Sequence, residues 1–274
     1  MTPLLLGAGV LGLLIGSFLN VVIWRVPRGQ SLLPASRCPG CGAAIRPLQN
    51  VPVISWIALH GRCARCARRI GIRYPLIELG TAVAFALVAW WYVSAFAPPS
   101  QAPAAAAAWW LALIAYLWLA GAGIALTAID IELKRLPDPI VLPSVAVLVV
   151  LLSVTAALNG DWAQLFTVIG AAAALFAAYL LIVLVYPAGL GGGDVKLAPL
   201  VGAATGYLGW AAVAVGAFAG FLIGALIGLA LVAARRGGRK TAFPFGPSML
   251  AGAWIGVIYG PSIMDAYLSL FGLE

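Results

Sequence analysis

Apolar residues occur along this chain in long continuous runs, separated by shorter polar stretches. A run of about 20 apolar residues crosses a bilayer as a helix, because lipid offers backbone groups no hydrogen-bond partners. The runs do not alternate between polar and apolar positions, as the strands of a membrane barrel do. We therefore predict an all-α polytopic membrane protein with about eight transmembrane helices. The predicted spans are residues 3–24, 75–97, 105–129, 139–158, 164–187, 196–208, 210–234 and 246–270.

The pattern also predicts how the chain is divided. The run at residues 196–208 is short for a full crossing, so a complete span and a re-entrant helix both remain open. One polar segment, residues 25–74, is long enough to fold by itself. We predict a first transmembrane helix (1–24), a small insert (25–74) and a helical membrane domain (75–274).

Composition and charge place this protein in a membrane and give its orientation. Of the 274 residues, 64% are hydrophobic and 9% are charged, whereas soluble proteins carry about 25% charged residues. All sixteen lysines and arginines lie on one predicted side, and residues 98–104, 159–163 and 271–274 carry none. By the positive-inside rule, the N-terminus lies outside and the insert is cytoplasmic. The net charge of +8 suits an anionic lipid bilayer, and no nucleic-acid partner is predicted.

The insert contains two Cys-x-x-Cys pairs, "CPGC" and "CARC", which hold all four cysteines of the chain. Four thiolates at this spacing can close around one tetrahedral ion, as in a zinc ribbon. Disulfides are the rival interpretation, but cytosolic thiols stay reduced. Four protein ligands leave no open position, so we predict a structural zinc. The predicted ligands are Cys38, Cys41, Cys63 and Cys66.

Carboxylates are rare in this chain, and two of the eight fall where a membrane helix tolerates them least. Asp130 ends the third predicted span, where the helix dipole opposes a negative charge. Asp194 opens the sixth, behind three glycines that allow close backbone approach. Two neighbouring carboxyl groups can share one proton, so that one activates water while the other polarises a carbonyl. This is aspartic-protease chemistry. Asp138, followed by a proline, is interpreted as a helix N-cap.

Several short stretches occur together along almost the whole chain. In order, they are "GSFLNVVIWRVPRG", the cysteine pairs, "NVPVISW", "RYPLIELGTA", "IDIELKRLPD", "GGGDVKL" and "FPFGPSMLAG". As a combination they resemble the motifs of one family, the type IV prepilin peptidases, also called prepilin leader peptidase/N-methyltransferases, of the GxGD aspartic membrane proteases. The resemblance implies that Asp130 and Asp194 are the catalytic pair, with Gly192 and Gly193 completing the glycine motif and Lys196 following it.

The resemblance implies two reactions at the cytoplasmic face of a bacterial inner membrane. The first removes the basic leader from type IV prepilins or type II secretion pseudopilins. The second methylates the new N-terminus with S-adenosylmethionine, whose binding residues the sequence does not identify. Two alternatives remain open: another GxGD-type intramembrane aspartic protease, and a proton-coupled transporter that uses the two aspartates as a relay.

Overall fold

The computed structural model describes residues 1–33, 35–98, 102–187, 190–234 and 244–272. Within these ranges the chain forms one short and eight long α-helices, and it contains isolated β-bridges but no β-sheet. The helices are α1 (Thr2–Arg25), α2 (Ile54–Ala58), α3 (Arg73–Ala95), α4 (Pro103–Leu133), α5 (Asp138–Leu158), α6 (Trp162–Val185), α7 (Gly192–Gly206), α8 (Trp210–Ala233) and α9 (Gly246–Ser269).

The eight long helices coincide with the eight predicted spans, which confirms the prediction of an all-helical membrane protein. Six of them, α1, α3, α4, α5, α6 and α8, are long and apolar enough to cross a bilayer. Helix α7 has 15 residues, fewer than the roughly 20 that a full crossing needs. The predicted count of eight spans is therefore approximate, and the protein is a multi-pass membrane protein.

The chain divides into two compact units, Met1–Ala97 and Pro98–Glu274. In the first unit α1 packs against α3. A Cβ added to Gly12 would lie 2.6 Å from the Cα of Ala82, and one added to Gly16 would lie 2.7 Å from the Cα of Glu78. Glycine thus allows the two helices to pack backbone to backbone. The division of this unit into a first helix that ends at residue 24 and an insert that ends at residue 74 stays a prediction.

In the second unit α7 is the central helix. It packs against α5, α6, α8 and α9, and all its residues from Asp194 to Gly206 are buried except Lys196 and Pro199. Helices α8 and α9 meet along glycines, since a Cβ added to Gly252 would collide with backbone atoms of Gly216 and Gly220. These glycines therefore form a packing seam of the kind that small residues provide between membrane helices.

Two helix boundaries differ from the prediction by four residues. Helix α7 begins at Gly192 rather than at residue 196. Helix α4 continues four residues beyond the predicted end at 129 and stops where Lys134 takes a left-handed conformation. Apolar periodicity ends at the first carboxylate, whereas the backbone hydrogen bonds of the helix continue to Leu133. Asp130 therefore lies inside the last turn of α4 rather than after it.

Candidate active site

Asp130 is buried at the end of α4 and accepts a hydrogen bond from the start of another helix. Its side chain is 5% exposed, and its Oδ2 accepts the backbone N–H of Gly246 at 3.1 Å. Gly246 is the first residue of α9, and N–H groups in the first turn of a helix have no partner within that helix. A first-turn N–H therefore stabilises a carboxylate that the dipole of its own helix opposes.

Asp194 is held in a similar way. It is the third residue of α7 and 7% exposed. Its Oδ2 accepts the backbone N–H of Gly191, the residue that precedes α7, at 2.9 Å. The side chain thus reaches back to its own helix start, as the third residue of a capping box does.

The structure brings the two predicted aspartates together in the second unit. Their charges interact, although the residues are 64 positions apart. Leu136 packs between the helix starts that serve them: a Cβ added to Gly193 would lie 3.0 Å from its Cβ, and one added to Gly246 would lie 3.4 Å from its Cδ1. Two buried, interacting carboxyls can hold one proton between them.

The glycines before Asp194 have different surroundings. Gly191 supplies the N–H to Asp194, and Gly193 lies against Leu136. A Cβ added to Gly192 would meet nothing within 4 Å. Of the two glycines that the sequence assigned to the motif, the described structure therefore requires Gly193 for packing and leaves space beside Gly192.

Lys196 lies outside the buried pair and binds a different carboxylate. Its Nζ lies 2.7 and 2.8 Å from the two carboxylate oxygens of Asp138. The two side chains are 44% and 51% exposed. The N-cap interpretation of Asp138 is wrong, because Pro137 occupies the cap position and Asp138 is the first residue of α5. The ion pair joins the start of α5 to the second turn of α7.

The four cysteines of the insert form a cluster in the first unit. Their sulfur atoms all lie within 4.8 Å of one another, and the Sγ atoms of Cys38 and Cys66 are 3.7 Å apart. This separation is far longer than the roughly 2.05 Å of a disulfide, and the cysteines are free. Backbone N–H groups of Gly40 and Cys41 lower the pKa of Cys38 to about 6. The donor set therefore fits a soft, thiolate-binding ion such as zinc.

Comparison with known proteins gives the family. The bacterial peptidase A24 N-terminal domain matches residues 10–92, and the type IV leader peptidase family matches residues 113–229. A prepilin leader peptidase/N-methyltransferase of Pseudomonas putida is 36% identical over 97% of this chain and 94% of its own length. The chain belongs to the type IV leader peptidase family. No solved structure matches it.

Other members with the same name show similar agreement. The protein of Pseudomonas aeruginosa is 32% identical over 97% of this chain and 93% of its own length. That of Neisseria gonorrhoeae is 35% identical over 90% of this chain and 88% of its own length. The family resemblance predicted from the motifs is confirmed.

Sequence reasoning missed several residues around the aspartates in this family member. Gly246 lies within "FPFGPSMLAG" and Leu136 within "IDIELKRLPD", so the motifs indicated both regions without giving either residue a role. No motif in the sequence indicated Tyr179. It is buried in α6, interacts electrostatically with Asp194, and stacks on Phe221 with ring centroids 5.3 Å apart.

Proposed function

We propose that this protein is a prepilin leader peptidase/N-methyltransferase whose proteolytic site is formed by Asp130 and Asp194. The observation that carries the proposal is the pair itself: two buried carboxyls whose charges interact, each bound to one backbone N–H. Membership of the family and the names of the relatives support the same activity. Neither a metal nor a nucleophilic side chain is required for this chemistry.

The mechanism follows from one proton shared by two acids. The ionised carboxyl removes a proton from water, and the water oxygen attacks the carbonyl carbon of the scissile peptide bond. The protonated carboxyl gives its proton to the carbonyl oxygen. Collapse of the tetrahedral intermediate breaks the C–N bond, and the leaving nitrogen takes the proton that the first carboxyl had removed from water. A hydroxyl of the intermediate returns its proton to the second carboxyl. The N–H groups of Gly246 and Gly191 keep both carboxyls oriented throughout.

The substrate class is a prepilin or pseudopilin inserted in the lipid bilayer. Its basic leader precedes an apolar helix, so the scissile bond lies near the membrane surface, where carboxyls at helix ends can reach it. We place the protein in a bacterial inner membrane, with its N-terminus outside and its insert in the cytoplasm. A cysteine introduced at Arg62 should resist an impermeant thiol reagent in intact cells, whereas one at Asn159 should react. The equivalent positions Arg236 and Leu273 lie outside the described residues.

Two bound groups accompany this function. Zinc, held by Cys38, Cys41, Cys63 and Cys66, supplies no chemistry to cleavage and fixes the fold of the insert. S-adenosylmethionine supplies the methyl group in the second reaction, which the relatives' names support. The insert is too small to form a sizeable apolar core, and this supports a structural metal.

The test of the proteolytic site is the loss of cleavage on removing either acid. Asp130→Asn and Asp194→Asn are nearly isosteric changes, and each should abolish cleavage of a purified prepilin, because the remaining acid cannot serve as both acid and base. Asp138→Asn is the matched control: it removes a carboxylate beside the site, and cleavage should remain within about threefold, as expected for a surface ion pair. An active Asp130→Asn enzyme would refute the mechanism.

A further inference from the structure

The first unit has one carboxylate side chain, Glu78, among nine arginines. Glu78 lies in the second turn of α3 and is buried, with 8% of its surface exposed. The backbone N–H of Val53 donates a hydrogen bond to its Oε2 at 2.7 Å. A carboxylate in such a basic unit would be expected to bind an arginine. The donor to Glu78 is a neutral backbone group, although the unit carries nine basic side chains.

The loop that supplies this N–H has a strained conformation. Val53 has φ 60° and ψ −51°, and the Pro52 carbonyl accepts the N–H of Ile54 at 2.6 Å. These values define a γ-turn of the rare, strained kind. A β-branched residue at positive φ is strained and persists where its surroundings enforce it, most often at functional sites.

Helix packing fixes the position of Glu78. A Cβ added to Gly16 of α1 would lie 2.7 Å from the Cα of Glu78, so the two backbones are in direct contact. One turn away, the buried Asn20 side chain donates its amide N–H to the Tyr74 carbonyl at 3.1 Å. The backbone of Glu78 is therefore fixed by two tightly packed helices, and its carboxylate accepts an N–H from a strained turn.

The second reaction of the proposed function needs a group of this kind. A methyl acceptor with a free α-amino group is largely protonated near neutral pH, and a buried carboxylate recognises an ammonium or amine through charge-assisted hydrogen bonds. We propose that Glu78, held against the Val53 turn, binds the α-amino group of the cleaved pilin during methyl transfer. This inference rests on the proposed function, and it assigns the methyl acceptor to the first unit.

The step balances without any further reactant. The ammonium first loses a proton to solvent, and Glu78 accepts a hydrogen bond from the resulting amine. The nitrogen lone pair attacks the methyl carbon of the sulfonium donor, and the C–S bond breaks with its electron pair passing to sulfur. The products are a neutral thioether and a secondary ammonium ion. Glu78 neither forms a covalent bond nor changes its own oxidation state.

Glu78→Gln separates this role from a purely structural one. The amide oxygen of glutamine can still accept the N–H of Val53, so the turn is retained while the charge is lost. With a pre-cleaved pilin peptide as substrate, the variant should lose at least about tenfold in kcat/KM for methylation, since a charge-assisted hydrogen bond is removed. The loss should appear in the KM for the peptide, with an unchanged KM for the methyl donor. Unchanged methylation, or a raised KM for the donor, would overturn the proposal.

Binding without a methyl donor provides a readout other than turnover. The free-amine peptide should bind Glu78→Gln about tenfold more weakly than it binds the unaltered protein, whereas an N-acetylated peptide should bind both equally. Asp265→Asn, which neutralises an exposed carboxylate, is the control and should leave both affinities unchanged.

Cleavage of an intact prepilin distinguishes the failure of this inference from failure of the proposed function. Glu78→Gln should cleave normally and should retain its metal content, which shows that both units are folded. If the variant methylates normally while the aspartate variants fail to cleave, the inference fails and the proposed function stands. If Glu78→Gln loses metal, Glu78 has a structural role and the proposal is overturned.

Discussion

Each of the two units of this chain contains buried carboxylates, but their number and their hydrogen-bond donors differ. In the second unit Asp130 and Asp194 interact with each other, and each accepts an N–H from a glycine at a helix start. In the first unit Glu78 is the one acid and accepts an N–H from a valine in a strained turn. A pair can hold one protonated and one ionised carboxyl at once. A solitary carboxylate can orient a cation or amine, but it cannot also act as the acid that water activation requires.

Substitution of a glycine that donates an N–H can disturb the proteolytic pair while both aspartates are kept. In Gly246→Ala the new Cβ would lie 2.8 Å from Oδ2 of Asp130, so the carboxylate must move. A displacement of about 1 Å costs on the order of 100-fold in rate. We expect a loss of cleavage of that size, measured on purified prepilin, with methylation of a pre-cleaved peptide retained.

Gly192→Ala is the matched control for that variant. Its Cβ would meet nothing within 4 Å, and alanine favours the first turn of a helix over glycine. Cleavage by Gly192→Ala should stay close to that of the unaltered enzyme. Equal losses in the two variants would show that the site depends on glycine flexibility rather than on the space beside Asp130.

Loss of the metal from the cysteine cluster should destabilise the first unit more than the second. We expect about one zinc per chain, and Cys63→Ser should lose most of it and destabilise the insert, because folding of small metal-binding segments depends on their ion. Elemental analysis of the purified, reduced protein measures this directly. His60→Asn, an exposed change near the second cysteine pair, should retain the metal. Unaltered protein without metal would contradict the prediction.

The smallest effect is expected from the ion pair between Lys196 and Asp138. Both side chains are about half exposed, and exposed pairs contribute roughly 0–1 kcal/mol. Lys196→Met and Asp138→Asn should each change thermal stability slightly, and their double variant should show a coupling energy below about 1 kcal/mol. A larger coupling would mean that the pair holds α5 and α7 in position for Asp194.

The sequence predicted those features that depend on continuous stretches of residues or on the spacing of a few residue types. Apolar runs gave the helices, the scarcity of carboxylates indicated Asp130 and Asp194, and the cysteine spacing gave the metal cluster. Contacts between residues far apart in the chain could not be predicted in this way. The N–H of Gly246 reaches Asp130 across 116 positions, and Lys196 reaches Asp138 across 58. The N-cap interpretation failed for this reason, because it considered only the neighbours of Asp138.

In the first unit, too, the sequence did not predict the contact between distant residues. The sequence analysis gave Glu78 no role, although "NVPVISW" and "RYPLIELGTA" both belonged to the family resemblance. The backbone of Val53 brings these two stretches together. No propensity predicts a γ-turn at a valine, because tertiary packing imposes it against the local preference. Strained positions of this kind become visible only in a structure.

One measurement tests most directly whether the two chemistries use separate carboxylates. Asp194→Asn should methylate a cleaved pilin but cleave no prepilin, and Glu78→Gln should cleave prepilin but methylate poorly. An equimolar mixture of the two purified variants, given intact prepilin and S-adenosylmethionine, should therefore yield mature methylated pilin that neither variant produces alone. Mass spectrometry of the pilin N-terminus measures it. Cleaved pilin that accumulates unmethylated in the mixture, or methylated pilin from Glu78→Gln alone at the normal rate, would contradict the account.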